Sequence, residues 1–516
     1  MMVYDDELYI DVKPGEFRAK CLELHKKLAS PVMAYFAEDD RRRNRAFVIY
    51  CAFLDAARKK WAIVRMPIPE ALPVFDSISK DIFSACLFER EMKEMFGLEP
   101  SGNPDLRRLN LHDEVWPEGY YPLRKDFIPP APAQKTGASY VFKKVDGEGI
   151  FEVPVGPVHA GIIGPGHFRF SAAGEPIINL EARLGFTHRG VEKLFEGRPA
   201  VDDGTVAFSE RIAGDSAFVY GTVYCRCIEK ICGINVPERA QYIRGIFLEL
   251  ERMYNHVNDI GGMALDVGFS FPAAFASIIK ENILALNERM SGSRYLKGVN
   301  KVGGVRKDIS AKSAGDLADS LGRISKDLAG LKEMLLSSTS FMDRVDKTGI
   351  LKNKTAVDLG IVGFAARASG LALDLRNVFP GAYSRARFTV VREEEGDALA
   401  RLNLRLREFE ESARLIKEFT NMMKPGDIFS ADKTVPKEGF APGCARDFAL
   451  GCEEGWRGPV LYWIRTDPSG LIERCKITDP SFHNWQGLCF AVLGNIIPDF
   501  PLCNKSFDLS YPGNDL

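Results

Sequence analysis

The stretch "SERIAGDSAFVYGTVYCRCIEK", residues 209–230, puts an arginine, a carboxylate and a hydroxyl at Arg211, Asp215 and Ser216, just ahead of an apolar run. Small residues with one acid at such a point have two uses. Asp215 or Ser216 can cap the coming helix by accepting a backbone N–H, or the loop can offer a polar ligand an acid and a hydroxyl. The residues leave both uses open. Cys225, Cys227 and Cys232 follow, but on a helix those spacings do not converge on one point. No Cys-x-x-Cys accompanies them, so they read as small buried core residues. Cys444, Cys452 and Cys503 show no ligand spacing either. His159 and His167 flank "AGIIGPG" without nearby cysteine or acid, which is poor company for a metal, and His167 reads as a hydrogen-bonded structural histidine. That glycine-rich run is not a dinucleotide fingerprint, and no phosphate-binding Walker loop occurs, so no nicotinamide site is expected.

The elements that must position these residues fall into two parts. A chain of 516 residues is too long for one core. "RAFVIYCAFL" (45–54) and "KKWAIVRMP" (59–67) read as a strand pair. Ile78, Ile82, Ala85, Met92, Met95 and Phe96 recur at helical spacing. Residues 1–128 therefore form a small α+β domain, and the Pro/Ala-rich residues 129–140 read as an extended linker. Residues 141–516 are mainly helical. Apolar stripes run through Ile243–Val257, Phe275–Leu286, Leu317–Leu335 and Leu399–Ile416, with Pro237 at the start of the first, where its missing N–H costs nothing. These long helices suggest a bundle. Hairpin-like segments at 167–186 and 458–477 flank it. The fold class is multidomain α+β.

Charge is nearly balanced at −2, which gives no pull toward nucleic acid. The start "MMVYDDELYIDVKPGEF" is not a signal peptide, and no run approaches the ~20 apolar residues of a membrane helix.

Residues 88–127, "FEREMKEMFGLEPSGNPDLRRLNLHDEVWPEGYYPLRKDF", resemble the complex I 30-kDa subunit family, in which the domain is a docking piece. "PVGPVHAGIIGPGHFRF", "FTHRGVEKLFEGR", "VPERAQYIRGIFLELERMYNHVNDIGG", "GSRYLKGVNKVGGVRKD" and "RGPVLYWIRTDPSGLIERCKITDPSFHNW" resemble the large subunit of membrane-bound nickel–iron hydrogenases and its relative, the complex I 49-kDa subunit. Their fusion is typical of energy-converting hydrogenases of the formate hydrogenlyase type.

The resemblance implies a cavity whose active forms hold nickel with two Cys-x-x-Cys pairs, soft anionic donors suited to that metal. Here those positions are Ala213 and Ser216, then Ser510 and Gly513, and Gly164 replaces a proton-carrying glutamate. No nickel–iron centre is expected, and no other cofactor on this chain. Gly214 stands where the 49-kDa subunit has a quinone-contacting tyrosine, while His159 matches a histidine beside the quinone, where an imidazole could donate to a carbonyl. The resemblance takes Arg211 and Arg457 to the cavity. Each would be a buried charge needing a partner, with Asp215, Glu454 and Asp508 as candidates. His159, Arg211, Asp215, Ser216, Tyr220, Arg457, Asp508 and Ser510 are thus the candidate cavity residues. The implied partners are an iron–sulfur small subunit, a ferredoxin-like subunit and antiporter-like membrane subunits, which would hold this chain on the cytoplasmic face of the membrane. The expected role is electron transfer to a quinone-like or other organic acceptor; a scaffold that couples conformational shifts is the alternative, and an active nickel hydrogenase a third.

Overall fold

The structure is a computed structural model and describes residues 2–130, 136–159, 163–430 and 446–516. Most of the proposed linker core (131–135), residues 160–162 of the glycine-rich run, and Cys444 lie outside the described residues.

The N-terminal part is a five-stranded sheet, β1 (Met2–Tyr4), β2 (Glu7–Asp11), β3 (Ala34–Asp39), β4 (Ala46–Asp55) and β5 (Lys60–Pro69), in the order β1-β2-β5-β4-β3. The expected strand pair is β4 and β5, antiparallel from Ala46↔Pro69 to Asp55↔Lys60. Helices α1 (Pro14–Leu28), α2 (Arg41–Asn44) and α3 (Cys86–Phe96) and the short parallel pair β6 (Val74–Asp76) and β7 (Glu99–Ser101) complete it. The helical spacing read from Ile78 onward overreaches. Residues 77–79 wrap the Glu89 carboxylate, which accepts the Ile78 N–H at 2.9 Å and the Ser77 hydroxyl at 2.6 Å. A buried carboxylate needs those donors, so the chain around Ile78 serves Glu89 instead of starting the helix.

Next come a three-stranded sheet, β8 (Ile150–Val155), β9 (His167–Ala173) and β10 (Ile177–Arg183), and the helices α4 (Val191–Phe195), α5 (Asp203–Ser209) and α6 (Ala217–Cys232). The long helices are α7 (Glu238–Asp266), α8 (Ser270–Ser291), α9 (Ala311–Leu336) and α14 (Ala398–Met422). Between α8 and α9 lies the small pair β11 (Asn300–Lys301) and β12 (Gly304–Val305). Between α9 and α14 lie the short helices α10 (Thr339–Val345), α11 (Asn353–Asp358), α12 (Gly363–Ala368) and α13 (Leu375–Val378). The long helices close a ring of contacts, α7 on α8, α8 on α9, α9 on α14 and α14 on α7, and their apolar stripes share one core. The α7–α14 seam is different. It carries buried ion pairs, Arg405–Asp259 at 3.0 Å and Arg252–Glu408 at 3.7 Å; His256, kept neutral by burial, hydrogen-bonds Glu408 at 2.9 Å, and the Ser412 hydroxyl donates to Glu249 at 2.5 Å.

The C-terminal sheet, β13 (Phe448–Glu454), β14 (Pro459–Thr466) and β15 (Ile472–Thr478), is buried on both faces. The period of two is clean. Ala449, Val460, Tyr462 and Ile464 join the core shared with α6, while Phe448, Leu450, Leu461 and Trp463 pack with Tyr9, Phe36 and Tyr50 of the N-terminal sheet. Buried pairs Lys476–Glu91 (2.6 Å) and Arg446–Glu7 (3.0 Å) tie the same two parts together. The helices α15 (Pro480–Ala491), α16 (Phe500–Phe507) and α17 (Tyr511–Asp515) end the described chain. No helix among the described residues is long and apolar enough to cross a membrane.

Candidate functional site

Arg457 stands in the tight turn between β13 and β14 and joins two loops that the sequence keeps nearly 300 residues apart. Its Nη2 donates to Asp215 at 2.7 Å and lies 3.3 Å from the Asp508 carboxylate, and its Nε donates to the Asp508 backbone carbonyl at 2.5 Å. The guanidinium carbon sits 3.9 Å over the Trp456 ring. Burial works against its charge, but the two carboxylates outweigh burial and raise its pKa. The side chain is 5% exposed, yet Nη1 is buried with no partner among the described residues.

The first loop, 211–216, leads into α6. Of the two uses left open for this loop, capping falls to neither Asp215 nor Ser216: the α6 N-terminus is capped by Glu251 from α7, whose carboxylate accepts the N–H groups of Phe218 (2.7 Å) and Val219 (3.0 Å). Ser216 lacks the extended backbone of an N-cap, and its hydroxyl instead accepts the Trp456 indole N–H at 3.0 Å. The Asp215 carbonyl takes Tyr254 and Asn255 at 3.0 and 2.7 Å. The Asp215 carboxylate, 38% exposed, accepts the Ser216 hydroxyl at 3.1 Å through one oxygen and meets Arg457 with the other.

The second loop runs from Asp508 to Gly513. Asp508 ends α16 with φ 43°, and its carboxylate takes Lys505 at 3.0 Å. Burial alone would raise the Asp508 pKa; Lys505 and Arg457 overcome that and hold it low. Beside it, fully buried Asp259 is raised by burial and by the Asp508 charge, with Arg405 pulling the other way. Ser510 caps α17, accepting the Gly513 N–H at 3.0 Å, and its own N–H reaches the Ser481 hydroxyl at 2.9 Å. Asp479, at the start of α15, links this loop to α6: it accepts the Tyr220 hydroxyl and the Ser481 N–H, at 2.5 and 2.7 Å. Asp479, Asp259 and Glu251 escape the sequence reading. Asp479 could have been found from "TDPSFHNW", an acid just before a proline that opens a helix.

Two candidates stand apart. Arg211 is exposed, not buried; it follows the last turn of α5, where free carbonyls attract a guanidinium, and it donates to Ala207. Glu454 pairs with neither Arg211 nor Arg457 but with Arg367, at 2.7 Å. His159 hydrogen-bonds the Gly166 carbonyl through Nε2 at 2.7 Å and packs on Phe168, so its remaining nitrogen, Nδ1, is an acceptor unless the ring is doubly protonated. The same glycine-rich segment abuts the second loop. A Cβ on Gly164 would lie 2.6 Å from the Tyr511 ring, and one on Gly166 2.8 Å from it. Tyr511 therefore fills the space a side chain at position 164 would enter. His167 hydrogen-bonds Gly156, and Cys225, Cys227 and Cys232 are buried.

Two family profiles match. Residues 10–133 match the respiratory-chain NADH dehydrogenase 30-kDa subunit, and residues 266–515 match the 49-kDa subunit. Over 516 residues the chain is 31% identical to formate hydrogenlyase subunit 5 of Escherichia coli, covering 99% of this chain and 89% of that protein. It belongs to this family of fused complex I-like, hydrogenase-related subunits. Hydrogenase-4 component G of the same organism is 32% identical (93% and 83% covered), and the membrane-bound hydrogenase alpha subunit of Pyrococcus furiosus 29% (70% and 85%). A solved subunit of the membrane-bound sulfane sulfur reductase, an archaeal respiratory membrane complex, aligns with TM-score 0.66 at 28% identity, covering 72% of this chain and all but 1% of that one. The 30-kDa match corresponds to the N-terminal sheet and its helices, and the 49-kDa match contains Arg457, Asp479 and Asp508. The Asp215 loop lies upstream of that match, but the alignment with formate hydrogenlyase subunit 5 spans nearly the whole chain. The chain is a subunit type of complex I-like, hydrogenase-related membrane complexes.

Proposed function

We propose that this chain is the peripheral-arm subunit of such a complex, that it works without a nickel–iron centre, and that the Arg457 site accepts a quinone-like or other organic electron acceptor. The coordination chemistry of the site supports the first part. At the four positions where the family resemblance puts thiolates stand Ala213, Ser216, Ser510 and Gly513, and their donor set does not fit nickel. Both hydroxyls are already engaged, Ser216 with Trp456 and Ser510 with Gly513. The single observation that carries the acceptor is Arg457 Nη1, a buried donor with no partner among the described residues. A buried N–H left unmade costs about 1–3 kcal/mol, and a ligand oxygen would recover it. Asp215 and Asp508 already balance the guanidinium, so a neutral carbonyl suits the place better than an anion, which would face both acids. The His159 N–H is committed to Gly166, so what the ring offers a ligand is Nδ1 as an acceptor. Electrons would come from an iron–sulfur small subunit fed by a ferredoxin-like subunit, and the released energy would pass to antiporter-like membrane subunits.

Elemental analysis of the purified complex and a quinone-analogue reduction assay test this together. The expected result is no stoichiometric nickel, measurable reduction, and a lower rate for His159→Ala. Stoichiometric nickel would overturn the metal-free reading. Reduction of a sulfane-sulfur compound in place of any quinone would move the acceptor to the class named for the aligned archaeal reductase. The scaffold reading draws on the buried contact between the N-terminal and C-terminal sheets. It requires that site substitutions leave electron transfer unchanged while deletion of residues 88–127 prevents assembly.

A further inference from the structure

A carbonyl acceptor that takes electrons must also take protons, and one carboxyl group stands where it could give them. Asp479 is fully buried. One oxygen is held by the Ser481 N–H at 2.7 Å and the other by the Tyr220 hydroxyl at 2.5 Å. Gly513 packs directly against that second oxygen, which a side chain at this position would displace. A Cβ there would lie 2.7 Å from Asp479 Oδ2 and 2.9 Å from the Ser510 hydroxyl. The ionisable groups facing Asp479 are Tyr220 from α6, Tyr462 from β14 and Arg457 from the β13–β14 turn, the last with its unpartnered Nη1. Next along the chain, the Thr478 hydroxyl is also buried without a partner among the described residues. Gly164 offers no side chain, and the Tyr511 ring closes on it.

We infer that Asp479 is the proton donor to an acceptor held at Arg457, and that Tyr220 positions it; this rests on the organic-acceptor reading above. Two electrons reach the acceptor from the iron–sulfur carrier of the partner subunit. As a quinone carbonyl gains electrons, its C=O π bond opens to C–O, and the Asp479 proton passes to that oxygen, forming O–H and leaving a carboxylate. The Tyr220 hydroxyl and Arg457 stabilise that carboxylate, which regains a proton from water entering beside the partly exposed Asp215. The second carbonyl oxygen takes a proton from solvent, so two electrons and two protons yield the hydroquinone. Burial raises the Asp479 pKa, while Tyr220 and Arg457 pull it back. The donor is therefore lost as pH rises, and kcat should fall on the alkaline side.

Asp479→Asn keeps the α15 cap, since an amide oxygen still accepts the Ser481 N–H. In the purified complex it should lower kcat for a water-soluble quinone by about 10²–10⁴-fold, leave KM unchanged and abolish the alkaline limb. Tyr220→Phe removes a bond that favours the carboxylate, so it should move that limb to higher pH. A quinone-reducing complex in which Asp479→Asn retains the wild-type rate and pH profile overturns the inference and leaves the functional reading standing. Wild-type complex that reduces no quinone overturns both. If Asp479→Asn fails to assemble, Tyr220→Phe decides: an unmoved limb overturns the inference.

Discussion

The two loops that Arg457 joins are held in opposite ways. The loop before α6 is fixed from outside: Glu251 caps its helix, Tyr254 and Asn255 hold the Asp215 carbonyl, and Trp456 holds Ser216. The loop before α17 is fixed largely from within, by the Ser510 cap and the left-handed turn at Asp508, and Asp479 packs against its Gly513. The first loop can thus change side chains without losing its course, and its acid is free to face solvent. The second spends its own side chains on its shape and tolerates little. The largest test removes the residue that both share. Arg457→Ala leaves two carboxylates without their cation. Breaking a buried pair costs about 3–5 kcal/mol, and the lower end is expected because Lys505 still serves Asp508 and Asp215 is partly exposed. Denaturant unfolding of the purified chain measures this; a loss within the scatter of surface substitutions would mean that Arg457 does not bind the loops together.

A pH effect of similar order is confined to the externally held loop. Burial lifts the Glu251 pKa to about 8, against the opposing pull of the Phe218 and Val219 N–H groups. Its folded value thus exceeds its unfolded one, so the folded state binds more protons. The stabilising contribution is complete below the ordinary carboxyl range and is lost as pH rises toward 8. Each unit of difference is worth about 1.4 kcal/mol. Glu251→Gln should flatten that decline between acid and mildly alkaline pH, because an amide does not titrate. An unchanged slope of unfolding free energy against pH would show that Glu251 is not the group responsible.

What was readable in the sequence follows the same divide between local and distant causes. The strand pair at β4–β5, the hairpins at β9–β10 and β14–β15 and the four long helices are written in periods of two and 3.6, and apolar stripes such as Leu317–Leu335 need no knowledge of their partners. Family motifs supplied Arg457, Asp215 and Asp508, which do meet. Residues that act across the fold were hidden. Glu251 and Asp259 lie off the apolar stripe of α7, where charge ordinarily means solvent; here Glu251 caps α6, and Asp259 and Arg252 make buried ion pairs with α14. Arg211 went astray for the converse reason. Its motif takes it to the site, but the carbonyls ending α5 lie closer at hand. Ile78 likewise keeps helical spacing while its backbone serves Glu89.

The loops also differ in the room each gives a glycine, and this is a smaller, sharper test. A Cβ on Gly513 would lie 2.7 Å from Asp479 Oδ2, whereas a Cβ on Gly214 would meet nothing within 4 Å, at a backbone angle that alanine accepts. Gly513→Ala should therefore cost about 1–3 kcal/mol through overpacking. Gly214→Ala should be neutral or stabilising by about 0.4–1 kcal/mol, since alanine has less freedom to lose on folding. Equal costs, read from the two unfolding midpoints, would erase the contrast between the loops.

The finest comparison sets serine against serine. Ser510 accepts the Gly513 N–H as the cap of α17, and losing such a cap costs about 1 kcal/mol. Ser216 caps nothing. Its hydroxyl accepts the Trp456 indole N–H and donates to the Asp215 carboxylate at 3.1 Å; the same indole N–H also reaches the Asp215 carbonyl at 3.2 Å, and Arg457 still serves that carboxylate. Ser216→Ala therefore leaves no donor stranded, and its cost should stay within about 0.5 kcal/mol, the range of substitutions that break no special feature. If Ser216→Ala proves the costlier of the two, the hydroxyl has work beyond its bonds to Trp456 and Asp215. The natural place for that work is the ligand face beside Arg457, which would move the binding site toward the first loop and away from Asp479.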